Sequence, residues 1–364
     1  MTQTSLDSKV PDEPATRRSL TATRLLDASS ERSLESLALG VGALAFVVVG
    51  LAALAAFGLQ PAPIAGPGSA GQFAAIASGV TALAAVIAGR FAVHVRDGRS
   101  RFGVLDYLDV AALAFAHGVI ALLGWTLLAV ILEQAFIGAQ VFPVAAILLS
   151  GAAAAASGYV AFYSASHMDL QLLAAVLAVF LVFGVLASML TASDPDWWKD
   201  NLSALGMSSN VSAFAFNITI IVAGFLVTTL ARYSTRGIPT DNPKGVGRVR
   251  VSLIVVGVFL GLVGLFPVDD FFALHTGVAS GMVVAYGVLV IGLPRWITGI
   301  PRAFVVLGWL FLGVTLVLAG FFFAGYYTLT AVELVAGILV FTWIVLFIRN
   351  AAALEQDSRA PAAG

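Results

Sequence analysis

Residues 170–191 read Leu170-Gln-Leu-Leu-Ala-Ala-Val-Leu-Ala-Val-Phe-Leu-Val-Phe-Gly-Val-Leu-Ala-Ser-Met-Leu-Thr191, a run without one charged side chain. A hydrocarbon layer about 30 Å thick is crossed by a helix of about 20 apolar residues, so this run is long enough to span a bilayer. It must be helical, because a strand of a membrane barrel alternates in polarity over about ten residues and does not stay apolar throughout. Working outward, nine more stretches of the same kind occur, at about 37–59, 72–94, 109–132, 141–163, 211–231, 251–267, 271–292, 303–324 and 328–348. The pattern predicts an all-α, polytopic bundle of ten transmembrane helices. Composition agrees: of 364 residues 60% are hydrophobic and only 11% charged, with mean hydropathy +0.98, whereas an average soluble domain is about a quarter charged. That excludes most soluble enzymes, nucleic-acid binders and secreted modules. The absence of cysteine excludes disulfides, thiol catalysis, Fe–S clusters and cysteine zinc sites.

Loops that stay in the cytoplasm collect Lys and Arg, and here the ten spans sort the basic residues by side. Lys9, Arg17, Arg18, Arg24 and Arg32 precede span 1; Arg90, Arg96, Arg99 and Arg101 flank the second loop. Arg232, Arg236, Lys244, Arg248 and Arg250 lie in the sixth, Arg295 and Arg302 in the eighth, and Arg349 and Arg359 at the end. Eighteen of 19 therefore fall on one side, with Lys199 alone on the other. The expected topology has both termini cytoplasmic in a cell (inner or plasma) membrane, with 1–36 a disordered tail before an uncleaved first span and 351–364 a second tail. The linker 232–250, rich in Gly and Pro and with five basic residues, reads as flexible and topology-setting, with anionic lipid head groups as a further contact.

The outer side holds seven acidic residues: Glu133, Asp194, Asp196, Asp200, Asp269, Asp270 and Glu333. Polar groups at membrane depth are costly and mark function, and Asn217, His275 and Glu333 qualify by position. With Asp200, Ser203, Asp269 and Asp270 they form the candidate ligand-binding pocket. Structural roles stand beside that reading. Asp270 is placed to cap span 8, Trp197 and Trp198 to anchor at the interface, and Asn217 to bridge helices. His117 in span 3 reads as a hydrogen-bonded core histidine, and Arg90 as snorkelling to the cytoplasmic surface. No metal or other cofactor is expected, since four histidines spread over both sides do not supply a zinc ligand set. Serine catalysis is not expected either, because there is no GxSxG elbow and no Ser–His pair shows in the spacing. Gly66-Pro-Gly68-Ser-Ala-Gly71 spells GxGxxG but sits between two membrane spans, not in the strand–turn–helix that dinucleotide binding requires. The spacings Gly257/Gly261 and Gly277/Gly281 let helix backbones approach closely, either within the chain or as a homo-oligomer face.

The stretch carrying the outer groups also resembles a known family. Asp200-Asn-Leu-Ser203-Ala-Leu205-Gly206, then Ala213-Phe-Ala-Phe216-Asn217, Gly224, and Gly264-Leu-Phe266-Pro267-Val-Asp269 followed by His275 are similar to the bacterial membrane family called domain of unknown function 998. That family shows a Ser-acidic-Leu-Gly loop, a Phe-Asn pair opening the next span, a Gly-x-Phe-Pro hairpin and a following His. The resemblance covers about 170–350 and implies a six-helix membrane domain with no assigned reaction. This chain has Ala204 where the family usually has the acidic residue, which leaves that carboxylate's role to Asp200 or unfilled. More distantly the arrangement is similar to the Frag1/DRAM/Sfk1 membrane proteins, associated with lipid and membrane homeostasis.

The expected organisation is a four-helix part, 37–165, joined to a six-helix domain, 166–350. The expected role is non-enzymatic binding or handling of a membrane lipid or other amphiphile at an outward-facing pocket, with no nucleic-acid partner. The alternatives are a secondary transporter, which needs polar groups near the bilayer midplane, and a membrane-embedded hydrolase using His275 with outer carboxylates.

Overall fold

The computed structural model describes residues 31–96, 103–207 and 211–359. Ten long helices account for most of them: α1 (Glu31–Phe57), α2 (Ala70–Arg96), α3 (Val104–Ala135), α4 (Pro143–Ser166), α5 (Leu170–Leu190), α6 (Val211–Ser234), α7 (Pro243–Leu265), α8 (Phe272–Trp296), α9 (Arg302–Phe323) and α10 (Leu329–Arg359). Each contains a stretch long and apolar enough to cross a membrane. Large apolar side chains such as Leu44, Leu51, Val182, Val284 and Leu316 stand exposed along the helix flanks. Water would not tolerate so much exposed apolar surface on a monomer, whereas lipid tails would cover it.

Several helix ends depart from the expected span limits, because helical backbone runs on beyond the apolar run. α7 is the clearest case. Asn242 accepts the Gly245 N–H through its side chain and Pro243 takes the first helical position, where its missing N–H costs nothing. Residues 243–250 are thus helical and the flexible linker shrinks to about 235–242. α1 already begins at Glu31, inside the segment expected to be a tail, and α10 continues to Arg359 with Ala351 and Ala352 buried, where a second tail was expected. Hydropathy marks where lipid contact ends, and a helix can run on past that point. The remainder of both tails, 1–30 and 360–364, and Arg99 and Arg101 lie outside the described residues.

The connections between helices alternate between two ends of the bundle. One end, called the acidic end below, carries the loops after α1, α3, α5, α7 and α9; the other is the basic end. At the acidic end the first and third loops meet in a minimal two-residue ladder, β1 (Ala62–Pro63) against β2 (Gln140–Val141), antiparallel. The GxGxxG stretch follows β1 as a tight turn, with Gly66 and Gly68 at φ +89° and +74° and Ser69 Oγ accepting the Gln72 N–H at 3.0 Å as α2 begins.

α1 and α2 pack on α4, α3 packs on α2, and α3 also lies against α5 and α6. From α5 to α8 each helix packs on the next, while α9 and α10 close the far side around Trp343. The Trp343 indole is fully buried, stacked on Phe304 (5.0 Å) and Phe347 (5.8 Å) and edge-on to Tyr286 (5.5 Å). α3 is tied to α6 by a polar knot at the basic end. Asp109 accepts the Thr229 hydroxyl at 2.9 Å and the Tyr233 hydroxyl at 3.4 Å, and pairs with Arg232 at 3.6 Å. Arg232 is thereby turned inward, as is Arg250, whose Nε donates to Thr235 Oγ1 at 2.7 Å. Of the five basic residues in 232–250, Arg236, Lys244 and Arg248 remain exposed.

α6 and α7 approach each other closely. A Cβ at Gly257 would stand 2.7 Å from the Gly224 carbonyl oxygen and 2.5 Å from Thr228 Oγ1, and one at Gly264 would stand 2.6 Å from the Asn217 carbonyl oxygen. The face of α7 carrying Gly257 is thus occupied by α6 within the chain. Gly281 lies under the Phe259 ring, whereas nothing approaches within 4 Å of a Cβ at Gly277. Overpacking a tight contact costs about 1–3 kcal/mol, so Gly257→Ala should lower the thermal unfolding midpoint in detergent while Gly277→Ala leaves it unchanged or raised. Equal midpoints for the two variants would contradict this seam.

Candidate functional site: a buried turn held by five helices

After α5 the chain crosses the acidic end and makes two short 3-10 turns, Trp197–Lys199 and Leu202–Gly206. The first is exposed, with Lys199 bridged to Asp196 at 3.0 Å and lying 5.6 Å over the Trp198 ring. The second, Leu-Ser-Ala-Leu-Gly, has no charge and sinks inward, burying Ser203, Leu205 and Gly206. A buried backbone that is neither α-helix nor ladder must find hydrogen-bond partners elsewhere, and here side chains of the surrounding helices supply them.

Each partner comes from a different place in the chain. Glu333, in the first turns of α10, accepts the Leu202 N–H at 2.6 Å. Asn217 of α6 donates Nδ2–H to the Gly206 carbonyl at 3.0 Å, and Ser212 at the start of α6 donates to the Leu205 carbonyl at 3.3 Å. Ser212 is joined in turn to Ser188 of α5, the two hydroxyls 3.0 Å apart. His275 of α8 reaches Ser203 Oγ with Nε2 at 3.0 Å, and its Nδ1 lies 2.7 Å from the carbonyl oxygen of Phe266, which closes α7.

Two proton positions follow from the partners. A carbonyl oxygen only accepts, so Nδ1 of His275 carries the hydrogen, Nε2 of the neutral ring is the acceptor, and the Ser203 hydroxyl donates to it. By the same reasoning the Asn217 amide must present Nδ2 to Gly206, which fixes Oδ1 as a buried acceptor without an N–H or O–H donor. That oxygen lies against the Gly206 Cα, where an added Cβ would collide with it, so the turn requires glycine at 206. Asn201 Oδ1, at the entrance of the turn, is likewise buried without a partner.

Of the seven residues expected to line a pocket, the structure brings four together: Ser203, Asn217, His275 and Glu333. Asp200, Asp269 and Asp270 are exposed at the same end, and the hydrogen bonds that hold the turn come from other groups. Asp270 does not cap α8. Phe271 occupies the cap position. Ser203 pairs with His275, a pair that does not show in the spacing. The two are 72 residues apart, and no spacing rule connects a loop serine to a histidine three helices later. Ser188 and Ser212 went unnoticed because hydroxyls in apolar runs are common. Asp109 was missed as well, although an acid at the start of one apolar run and an arginine at the end of another on the same side is a readable signal.

His117 behaves as expected of a core histidine, with Nδ1 2.8 Å from the Leu113 carbonyl and Nε2 2.9 Å from Ser164 Oγ. It borders a crevice of about 240 Å³ walled by α2, α3 and α4, including Ala82, Ala121, Trp125, Ser157 and Val160. Arg90 donates to the Ala165 carbonyl at 3.4 Å. Among the described residues no three His or carboxylate groups stand close enough to hold a metal ion.

Ten apolar helices with lipid-suited flanks define an integral, multi-pass membrane protein. Residues 172–350 match the family model described as "Protein of unknown function (DUF998)", so that segment is similar to this family. The matched segment contains every group that holds the turn and leaves α1 to α4 outside. No curated protein and no solved structure matches the chain.

A buried N–H left without its acceptor costs about 1–3 kcal/mol. Glu333→Ala should therefore lower the thermal midpoint clearly, while Glu333→Gln, which keeps an oxygen acceptor for Leu202, should lower it far less. A Gln variant as unstable as the Ala variant would remove this bond from the account.

Proposed function

We propose that the protein binds and handles a membrane lipid or another amphiphile at its acidic end, and that this end faces outward across the cell membrane with both termini in the cytoplasm. The observation that supports it is the convergence of Asn217, His275 and Glu333, polar residues of three largely apolar helices, on the single turn Leu202–Gly206. Intramembrane polar groups gathered in one place are expected of a recognition site. Around the turn, Trp198, Phe271, Phe272, Tyr326 and Tyr327 are exposed, the side chains that favour the level of lipid head groups and ester linkages. The outward orientation rests on the basic residues gathered at the opposite end. There Arg236, Lys244 and Arg248, exposed on the loop and first turns before the apolar part of α7, suit contact with anionic head groups. Transport gains less support, because the crevice beside His117 is walled by α2, α3 and α4 without any residue of the turn.

Native mass spectrometry of the detergent-purified chain tests the binding reading. Asn217→Ala should shed co-purifying lipid relative to the wild type while keeping a cooperative thermal transition; a folded variant with an unchanged lipid complement would defeat it. The cysteine-free sequence makes orientation simple to read. A membrane-impermeant maleimide should label Asp200→Cys in intact cells and Lys244→Cys only after permeabilisation, and the reverse pattern would invert the topology.

A further inference from the structure

We propose that Ser203 is a nucleophile and His275 its general base, acting on the ester of an amphiphile bound at the acidic end. The inference deepens the binding reading above and rests on it for its substrate class. Its foundation is the hydrogen-bond direction at the turn. Ser203 Oγ points its proton at Nε2 of His275 across 3.0 Å, while Nδ1–H is held at 2.7 Å by the Phe266 carbonyl. A hydroxyl within reach of a base, with that base oriented by a third group, is the arrangement that activates a serine. Here the third group is a backbone carbonyl in place of a carboxylate. It fixes the tautomer, and it still accepts from Nδ1–H when the ring takes up a second proton. Ser203 and His275 are only 8% and 5% exposed, so water competes little for either group. The turn that carries Ser203 is fixed on both sides, by Glu333 at Leu202 and by Asn217 at Gly206.

The protein contains a second pair with the same bonding, which serves as an internal control. His117 has Nδ1 on the Leu113 carbonyl of its own helix and Nε2 on Ser164. Ser164 lies within helix α4, packed between buried Ala161 and Ala165. Ser203 instead sits on a 3-10 turn whose neighbours Asn201, Leu202 and Ala204 are partly exposed, at the aromatic-ringed end where ester linkages of lipids would lie. Bonding alone does not separate the two serines, but placement does.

The reaction balances without any group beyond water. Ser203 Oγ adds to the ester carbonyl carbon as its proton passes to Nε2 of His275. The bond from that carbon to the alcohol oxygen then breaks, and the imidazolium returns the proton to the departing alcohol. Water then attacks the acyl-serine carbonyl carbon as its proton passes to Nε2, and the imidazolium returns that proton to Ser203 Oγ as the acyl–oxygen bond breaks, releasing the carboxylic acid and restoring Ser203. A fluorophosphonate probe, which phosphonylates activated serines, tests the assignment on the purified full chain in detergent, with peptide mapping by mass spectrometry. The expected result is a phosphonylated peptide containing Ser203, lost in Ser203→Ala, slowed about 100-fold or more in His275→Gln, since a general base contributes about 10²–10⁴-fold, and unchanged in Ser164→Ala. An unlabelled Ser203 in the wild-type chain overturns the proposal even if no variant folds, as does a folded His275→Gln that labels at the wild-type rate. Failure of labelling while lipid still depends on Asn217 removes the chemistry alone; labelling of Ser203 without Asn217-dependent lipid removes the binding reading instead.

Discussion

Hydrocarbon offers no hydrogen bonds, so every backbone N–H and C=O within it must be satisfied by the protein itself. Ten helices meet that demand for most of this chain at no cost in side chains. The turn Leu202–Gly206 is the exception on which the site depends, because it is buried yet too short to satisfy its own peptide groups. Glu333, Asn217 and Ser212 each take one of those groups, and His275 takes the one hydroxyl that would otherwise be stranded. Polar residues in apolar helices thus have a definite local cause. The same bonds hold Ser203 against His275, so the structural role and the proposed chemical one belong to a single network.

That network needs the helices at fixed separations, and the glycine seam between α6 and α7 provides them. Gly224, Gly257 and Gly264 let the two backbones approach until carbonyl oxygens fill the space a Cβ would occupy. Asn217 lies opposite Gly264 at the end of this seam, and Phe266, the carbonyl partner of His275, is two residues beyond. Without a hydrophobic driving force between helices in lipid, close packing of small residues is what brings helices together. The seam therefore sets the level at which Asn217 and His275 meet the turn from two sides.

Span number and helix type were legible because hydropathy is a one-dimensional signal and lipid imposes it on every segment. Helix ends were less so: Asn242 with Pro243 starts α7 inside a basic stretch, where capping acts although hydropathy has already turned polar, and α10 outruns its apolar run. Asn217, His275 and Glu333 were recognisable singly by the cost of burying them. Their grouping with Ser203 was expected as a pocket; that they hold a buried backbone turn was not, because nothing in Leu-Ser-Ala-Leu-Gly announces that it will be buried. The exposed acids misled for the converse reason: Asp269 and Asp270 are conspicuous in sequence because they border a span, and bordering a span is where solvated carboxylates belong.

The same logic bears on how α1 to α4 relate to the family segment. The match begins at residue 172, yet α3 lies against both α5 and α6, and Asp109 on α3 supplies the carboxylate that faces Arg232 on α6. Deleting α3 would leave Arg232 at that packed end without the Asp109 carboxylate, and the Thr229 hydroxyl without its acceptor. Removing one member of a partly buried pair is more costly than never having had the pair. In this chain the six-helix segment is therefore completed by α3, which packs on α5 and on α6, the helix that also carries Asn217 and Ser212.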